Sequence, residues 1–248
     1  MQTLAQQLDS FKEAMRKKAA LAKAAKSLEA EARKALKLEL IRRVYTYDDI
    51  GKHRTWLDGR AKPLQEPART LFALAMSDHG TNNPLATELP MLAAVYRLTG
   101  KTAFLDRCLA QLSEMASWSP LQRPGWMLYA GGKLPPDGQD GSWLATGTGV
   151  RAIADTLEIL PPDAVGTELR GRLRDLLAKE IDQVVEDWAK RRQWFVKSNN
   201  AITNQWVLPT EGLIRACLVL GVGRHKSAYE LGIKNLMTAL DAHGPAGE

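Results

Sequence analysis

The sequence is poor in the residues that hold metals and disulfides, with two cysteines and four histidines among 248 residues. Cys108 and Cys217 lie far apart, each inside an apolar helical pattern, and such cysteines more often act as small buried hydrophobic residues than as a disulfide. The histidines show no HxxxH spacing and the cysteines no CxxC spacing. The sequence therefore predicts no metal site built from this chain alone, and no cofactor.

Long apolar runs are also missing. No run approaches the roughly 20 residues that a membrane-spanning helix needs. The polar start, Met1 to Phe11, lacks an apolar block followed by small residues, so it does not resemble a secretory signal. We therefore expect no membrane partner for this chain, and the sequence leaves its cellular location open.

The net charge of +6 comes from the first 44 residues alone. They carry 11 Lys and Arg against 5 Asp and Glu, whereas the remaining residues carry 23 of each sign. A cationic chain favours anionic partners in general, but this distribution leaves the rest of the chain electrically neutral. The global charge therefore says nothing about the ligand of residues 45–248.

Residues 1–44 form a pattern typical of a basic amphipathic helix. Leu4, Leu8, Phe11 and Met15 recur at helical spacing, and an Ala- and Lys-rich stretch follows without Gly or Pro. We predict one long helix, or two joined near Ser27, that ends around Tyr45 and docks on the next domain. Its basic residues lie all round the helix without interleaved aromatic residues, which disfavours nucleic-acid binding.

Residues 45–248 alternate helical patterns with Gly and Pro stops and contain no period-2 strand pattern. A loop rich in Pro and Gly covers Ser119–Ser142, and loops of this length are often functional. The predicted fold is all-α, built from stacked helical hairpins. The predicted helices are Ala68–Ala75, Glu88–Gly100, Thr102–Trp118, Trp143–Leu160, Glu168–Trp188, about Asn204–Leu220 and about Lys226–Ala242.

Three stretches together resemble the heparinase II/III-like and alginate-lyase group of polysaccharide lyases. They are ELPMLAAVYRLTGKTAFLDRCLAQL, DGSWLATGTGVRAIADTLEIL and SNNAITNQWVLPTEGLIRACLVLG. The resemblance covers roughly residues 70–248 and implies an incomplete α/α-toroid. It also implies β-elimination in an anionic, uronic-acid-containing polysaccharide.

In that family, a segment with the tyrosine thought to act as proton donor or base follows shortly after a DAHGPAGE-like turn. This chain ends at that point, at Glu248. The resemblance therefore implies that the chain is the N-terminal part of a larger enzyme whose C-terminal part is its partner. Members of the family are often periplasmic or secreted.

The resemblance assigns the central role to Asn200. A uronate lyase removes the proton at C5, so its site must neutralise the adjacent carboxylate with hydrogen-bond donors or positive charge. An Asn amide donates without titrating, and Asn199 and Asn204 are the expected neighbours. The family often has His directly after the Asn, where this sequence has Ala201. An alternative interpretation is that SNN caps the following helix.

Four further side chains are candidates for substrate binding. Arg151 could bind a substrate carboxylate through its guanidinium fork, although pairing with Asp155 at i+4 competes. Trp143 and Trp206 lie beside the candidate segments and could stack on sugar rings, as could Trp194, or could simply pack. His79 could line the same cleft.

Two other functions remain open at the level of sequence. A glycoside hydrolase on the same scaffold would need two carboxylates at a cleft, and Asp137, Asp140 and Glu211 are available. A non-catalytic helical scaffold that binds carbohydrate or another partner is the second. An incomplete ring would leave apolar helix faces open, which predicts self-association.

Overall fold

The computed structural model describes residues 2–53, 64–130, 133–134 and 137–244. These residues form nine α-helices and no strand, so the all-α prediction is confirmed. The helices are α1 (Leu4–Met15), α2 (Ala19–Ala35), α3 (Ala68–Thr99), α4 (Thr102–Met115), α5 (Leu144–Ile159), α6 (Thr167–Ala189), α7 (Trp194–Lys197), α8 (Asn204–Leu220) and α9 (Lys226–His243).

Three consecutive hairpins, α3–α4, α5–α6 and α8–α9, build the body of the molecule. Their first helices pack side by side in the order α3, α5, α8, and α6 and α9 lie against α8. One hydrophobic core runs through all three hairpins and includes Phe104, Leu112, Ile153, Leu177 and Phe195. The first turns of α5 and α8 consequently lie in the same region of the molecule.

Helix α3 differs from the prediction of two separate helices at Ala68–Ala75 and Glu88–Gly100. It is a single helix of 32 residues that continues through Pro84 and Pro90. A proline inside a helix removes one backbone hydrogen bond and typically costs about 3 kcal/mol. Here the intervening residues Leu85 and Leu89 are fully buried in the core, and this burial offsets the loss.

The basic N-terminal segment docks on the hairpins through apolar and polar contacts. Leu4 and Leu8 pack against the core that contains Ala32. The break between the helices falls at residues 16–18 rather than near Ser27, and helix α2 ends at Ala35 rather than near Tyr45. Beyond it the Ile41 amide donates to Gln111 Oε1 (2.9 Å), and the Ile41 carbonyl accepts from Gln111 Nε2 (2.8 Å). Gln111 on α4 thus makes the hydrogen bonds that the Ile41 backbone would otherwise make within a helix.

Glycines set the spacing between α5 and α8. A Cβ atom at Gly147 would lie 2.2 Å from the Leu208 carbonyl oxygen, and one at Gly212 would lie 3.1 Å from the Gly147 Cα atom. The two backbones are therefore in direct contact, which a side chain at either position would prevent. This contact fixes the start of α8 beside the start of α5.

Helix α9 presents apolar side chains to solvent. Leu236, Met237 and Leu240 are all exposed on it, as expected for an open helix face; self-association of the chain stays a prediction. None of the helices in the described ranges combines the length and apolar character that a membrane crossing requires.

Candidate functional site

Two connecting segments, residues 116–143 and 190–203, lead into the first turns of α5 and α8. The first is held by Asp140, whose Oδ2 accepts hydrogen bonds from the amides of Gly125 (2.8 Å) and Met127 (3.0 Å). Burial raises the pKa of the Asp140 carboxyl, and these amides act in the opposite direction. Gly125 has φ +145°, and a Cβ atom there would lie 2.5 Å from the Leu71 carbonyl oxygen. Gly125 and Met127 are therefore held beside Asp140 within this Pro- and Gly-rich segment.

The second segment is tied to the first by a buried ion pair. Asp187, at the end of α6, accepts hydrogen bonds from Ser142 Oγ (2.6 Å) and from Arg192 Nη1 (2.8 Å). Gln193 Nε2 donates to the Asp140 carbonyl oxygen. Because Ser142 and Arg192 belong to different segments, these bonds hold both segments against the same end of α6.

A continuous series of aromatic rings crosses this region. Trp126 stacks on Trp143 with the ring centroids 4.8 Å apart, and Trp188 contacts Trp206 edge to face at 5.8 Å. Phe195 contacts both Trp143 and Trp188 and so joins the two pairs. Trp143, Trp188, Phe195 and Trp206 are all buried, so these rings stabilise the segments by packing.

Two of the predicted sugar-stacking tryptophans lie inside this series. Trp143 is 7% exposed and Trp206 is 4% exposed. The indole N–H of Trp206 donates to the Asn235 carbonyl oxygen (3.0 Å). Trp194, on the short helix α7, is 45% exposed and is the exposed indole of the described ranges. Of the three indoles that the sequence singled out, Trp194 is thus the one open to a sugar ring from solvent.

Asn199 and Asn200 occupy the last two positions of a Schellman motif that ends α7. Asn199 has φ +53°, its amide donates to the Val196 carbonyl oxygen (3.3 Å), and the Asn200 amide donates to the Phe195 carbonyl oxygen (2.8 Å). In this motif the residue corresponding to Asn199 must be left-handed, which Asn tolerates better than other non-glycine residues. The backbone of Asn199 therefore has a structural role.

The motif leaves the Asn200 side chain without a structural task. It is half-buried, and within the described residues its amide has no hydrogen-bond partner. The N-cap of α8 is Thr203, whose side chain accepts from the Trp206 amide (3.3 Å). The interpretation that SNN caps this helix is therefore wrong. Asn204 is exposed at the first position of α8, one turn beyond Asn200.

Replacing Asn199 separates its backbone role from the role of Asn200. We expect Asn199→Ala to lower the free energy of unfolding by about 1 kcal/mol, because Ala adopts positive φ less readily. We expect Asn199→Gly to keep or raise the stability. Urea unfolding of both variants measures this. Equal stabilities for the two variants would contradict the left-handed role.

Arg151 lies in an ionic cluster on α5 and α8. Its Nη1 is 3.6 Å from Glu211 Oε2 and its Nε is 3.9 Å from Asp155 Oδ2, while Arg215 Nη1 donates to Asp155 Oδ1 (3.0 Å). Burial raises the pKa of Asp155 and the two guanidinium groups act in the opposite direction. The predicted pairing with Asp155 therefore occurs, and Glu211 is a second partner of Arg151.

His79 lies on α3, one turn before Asn82, whose side chain contacts Gly149 of α5. The imidazole is partly buried, and desolvation lowers its pKa, which favours the neutral form. Its Nδ1 atom is buried and has no hydrogen-bond partner in the described part of the chain. His79 therefore lies on α3, whereas Asn200 lies just before α8. Helix α5 packs between these two helices.

The three carboxylates considered for a hydrolase are all engaged elsewhere. Asp137 pairs with Arg192 (2.5 Å), Asp140 is buried among backbone amides, and Glu211 lies beside Arg151 and Arg215. A glycoside hydrolase needs one carboxyl group as acid and a second as base or nucleophile. Because each of the three carboxylates is already paired or buried, the structure gives no support to the glycoside hydrolase alternative.

Glu180, a buried carboxyl on α6, has the most strongly raised carboxyl pKa of those described here. Its Oε1 accepts from the Leu121 amide (2.8 Å), whereas its Oε2 is buried and has no hydrogen-bond partner within the described ranges. Burial raises the pKa of this carboxyl to about 7. The folded protein thus holds the proton more tightly than the unfolded chain does.

The contribution of Glu180 to the free energy of unfolding should therefore fall as pH rises from 4.5 to 7. The proton of Glu180 contributes stability that is fully present below pH 4.5 and is lost through pH 7, by about 3 kcal/mol in total. Glu180→Gln keeps the acceptor for the Leu121 amide but does not titrate. We expect a flatter pH profile for this variant in urea unfolding between pH 5 and 8. Identical pH profiles of stability for the Glu180→Gln variant and the unmodified protein would contradict the raised pKa of Glu180.

Sequence reasoning missed a group of residues beside Asn199. Trp188, Arg191, Lys234 and Asn235 come together with Asn199 and Trp206 around one pocket between α6, α8 and α9. They are distant in sequence and follow no motif, so no sequence signal pointed to them as a set.

No group of three or more His, Cys, Asp or Glu residues within the described ranges could hold a metal ion. Comparisons of the chain with protein-family models, curated proteins and solved structures find no match.

Proposed function

We propose that this chain acts on a uronic-acid-containing polysaccharide by β-elimination, with Asn200 neutralising the substrate carboxylate. The observation that carries the proposal is the half-buried Asn200 side-chain amide, which has no hydrogen-bond partner among the described residues and lies before the start of α8. An unpaired amide in a partly desolvated position is available to donate to a ligand. The resemblance to the lyases implies a carboxylate-binding Asn at this position, which supports the proposal.

The electrostatics of the region favour an anion. Neither α5 nor α8 has an acidic residue in its first turn. A helix N-terminus carries partial positive charge and unpaired amides, which stabilise nearby negative charge. An enolate that develops beside Asn200 would therefore receive a hydrogen bond from the side chain and stabilisation from the helix end.

The surface beside Asn200 offers further contacts for a sugar polymer. Trp194 and Lys197 on α7 are both exposed, and Asn204 is exposed at the start of α8. An indole stacks on the apolar face of a pyranose ring, and a Lys attracts carboxylates of neighbouring residues. In this proposal these three side chains bind the polymer on either side of the unit held by Asn200.

The test is an absorbance assay for the new carbon–carbon double bond. The protein is incubated with alginate, heparan sulfate, heparin, hyaluronan and chondroitin, and with neutral dextran as the control polymer. We expect a rise with at least one uronate polymer, none with dextran, and its loss in Asn200→Ala. Absence of a rise with every uronate polymer would contradict the proposal, as would an unchanged rate in Asn200→Ala.

A further inference from the structure

Helix α9 is apolar on the side that points away from the other helices. Asn235 and Ala239 are buried on the side that packs against α8 and α6. Successive helical residues are turned by about 100°, so Met237 points in nearly the opposite direction. It is 51% exposed, and Leu240 beside it is 54% exposed. Neighbouring exposed apolar side chains on one helix face indicate an interaction surface.

The apolar residues of this side have the spacing of a seam between two helices. Ile233, Met237 and Leu240 follow one another at intervals of four and three residues, which is the repeat that packs one helix along another. Ile233 is half-buried, and Leu236, which is exposed, borders the seam on one flank. These four residues are called the outer face of α9 below.

The other flank of the seam carries two opposite charges. Lys234 and Asp241 are seven residues apart, which is two helical turns, so they lie on the same flank. Both are exposed, and neither side chain forms a hydrogen bond or an ion pair with the described residues. The seam is therefore bordered by one positive and one negative charge that are both available to a partner.

This arrangement is complementary to itself when two copies of α9 run antiparallel. If the helices cross at Met237, this residue meets its equivalent, and Ile233 of one copy lies opposite Leu240 of the other. The same crossing brings Lys234 of one copy within about one residue of Asp241 of the other, since like flanks meet in an antiparallel pair. Two-fold symmetry repeats each of these contacts, so the apolar seam and both charges are matched at once.

We propose that the chain forms a two-fold homodimer through the outer face of α9, with the two helices antiparallel and crossing at Met237. A second copy is the occupant because the apolar and charged residues of this face match in a single register. The dimer does not depend on β-elimination or on Asn200. One helix pair makes a smaller interface than most stable complexes, so we expect a dissociation constant of about 10 µM.

The test is sedimentation velocity of the whole chain, over a concentration range from about 1 to about 300 µM that brackets this value. We expect the mass to rise from one copy to two. Met237→Glu places two carboxylates at the crossing point and should weaken the dimer at least about hundredfold. Leu38→Glu makes the same kind of change at an apolar residue that is 60% exposed outside α9, and it should dimerise like the unmodified protein.

Charge exchange tests the antiparallel register. Lys234→Glu and Asp241→Lys each bring like charges together in both symmetry-related contacts, so each should weaken the dimer about tenfold. The double variant exchanges the two charges and should regain the original affinity. An equimolar mixture of the two single variants should associate as well, because each then meets opposite charges on the other. Circular dichroism checks that every variant remains helical.

Three outcomes would overturn the proposal. The first is an unmodified protein that stays a monomer over the whole range, which would leave the outer face to a different partner. The second is a dimer that Met237→Glu does not weaken. The third is a double variant and a mixture that both dimerise as weakly as the single variants, which would exclude the antiparallel register. Asn200→Ala should dimerise normally, so loss of polymer cleavage and loss of the dimer are independent results.

Discussion

Asn200→Ala is expected to lower the rate of β-elimination by about 10²–10³-fold, the usual effect of removing one preorganised donor to a developing oxyanion. The side chain makes no hydrogen bond with the described residues, and only its backbone contributes to the motif that ends α7. Its loss should therefore leave the free energy of unfolding unchanged. Initial rates from the absorbance of the new double bond check the loss of activity. Urea unfolding of the same samples checks that the stability is unchanged.

Asn200→Asp and Gln7→Ala sharpen this experiment. Asp has nearly the shape of Asn but repels the substrate carboxylate, so we expect a loss at least as large as with Ala. Gln7 is an exposed amide on α1, far along the chain from the site, and its removal should not affect the rate. A large loss of stability in Asn200→Ala would instead show that the residue acts through the fold.

The second large effect is expected from Asp78, a fully buried carboxylate on α3. It accepts from Arg43 Nε (2.9 Å) and Nη2 (2.8 Å), and from Arg123 Nη2 (2.7 Å) and the Arg123 amide (2.8 Å). Asp78→Ala leaves the buried Arg43 guanidinium without its counter-charge. We expect the free energy of unfolding to fall by about 3–5 kcal/mol, as for other broken buried ion pairs.

Asp9→Ala is the matched control for Asp78→Ala. Asp9 is exposed and also binds an arginine through two hydrogen bonds, from Arg97 Nε (2.9 Å) and Nη2 (2.6 Å). A solvent-exposed pair contributes little to stability, because water screens both charges. In urea unfolding, the loss in free energy of unfolding should therefore be several-fold larger for Asp78→Ala than for Asp9→Ala. Similar losses would show that burial does not set the cost at Asp78.

Periodicity in the sequence was enough to predict the regular helices. Helix α8 begins and ends at the predicted residues, α5 and α6 deviate by one residue at each end, and α9 deviates by one residue at its C-terminal end. These helices carry apolar residues at helical spacing and are bounded by Gly or Pro, so local signals and packing agree. Cys108 and Cys217 are buried, unpaired cysteines as predicted, and burial raises the pKa of the Cys108 thiol to about 12.

The errors arose where packing overrides local preference. Pro84 and Pro90 interrupt the local pattern, yet the core on one side of α3 keeps the helix continuous. Residues 36–44 have good helix formers, yet Gln111 and Asp78 hold their backbone and Arg43 outside any helix. In both cases the residues that decide the backbone conformation lie more than 30 positions away along the chain or on another helix. Helix propensity describes each residue by itself and does not include these contacts.

The all-α class, the bounds of most helices and the position of the two asparagines before α8 could be predicted from the sequence alone, because they depend on signals within a few residues of one another. The tertiary structure decided how the asparagines divide their roles. The left-handed turn at Asn199 uses that residue for the backbone, and the Asn200 side-chain amide has no hydrogen-bond partner in the described part of the chain. It also decided that Trp143 and Trp206 pack inside while Trp194 faces solvent, and that Trp188 and Asn235 meet at one pocket. Burial and unpaired donors are properties of the assembled helices, since each depends on which distant side chains exclude water from an atom.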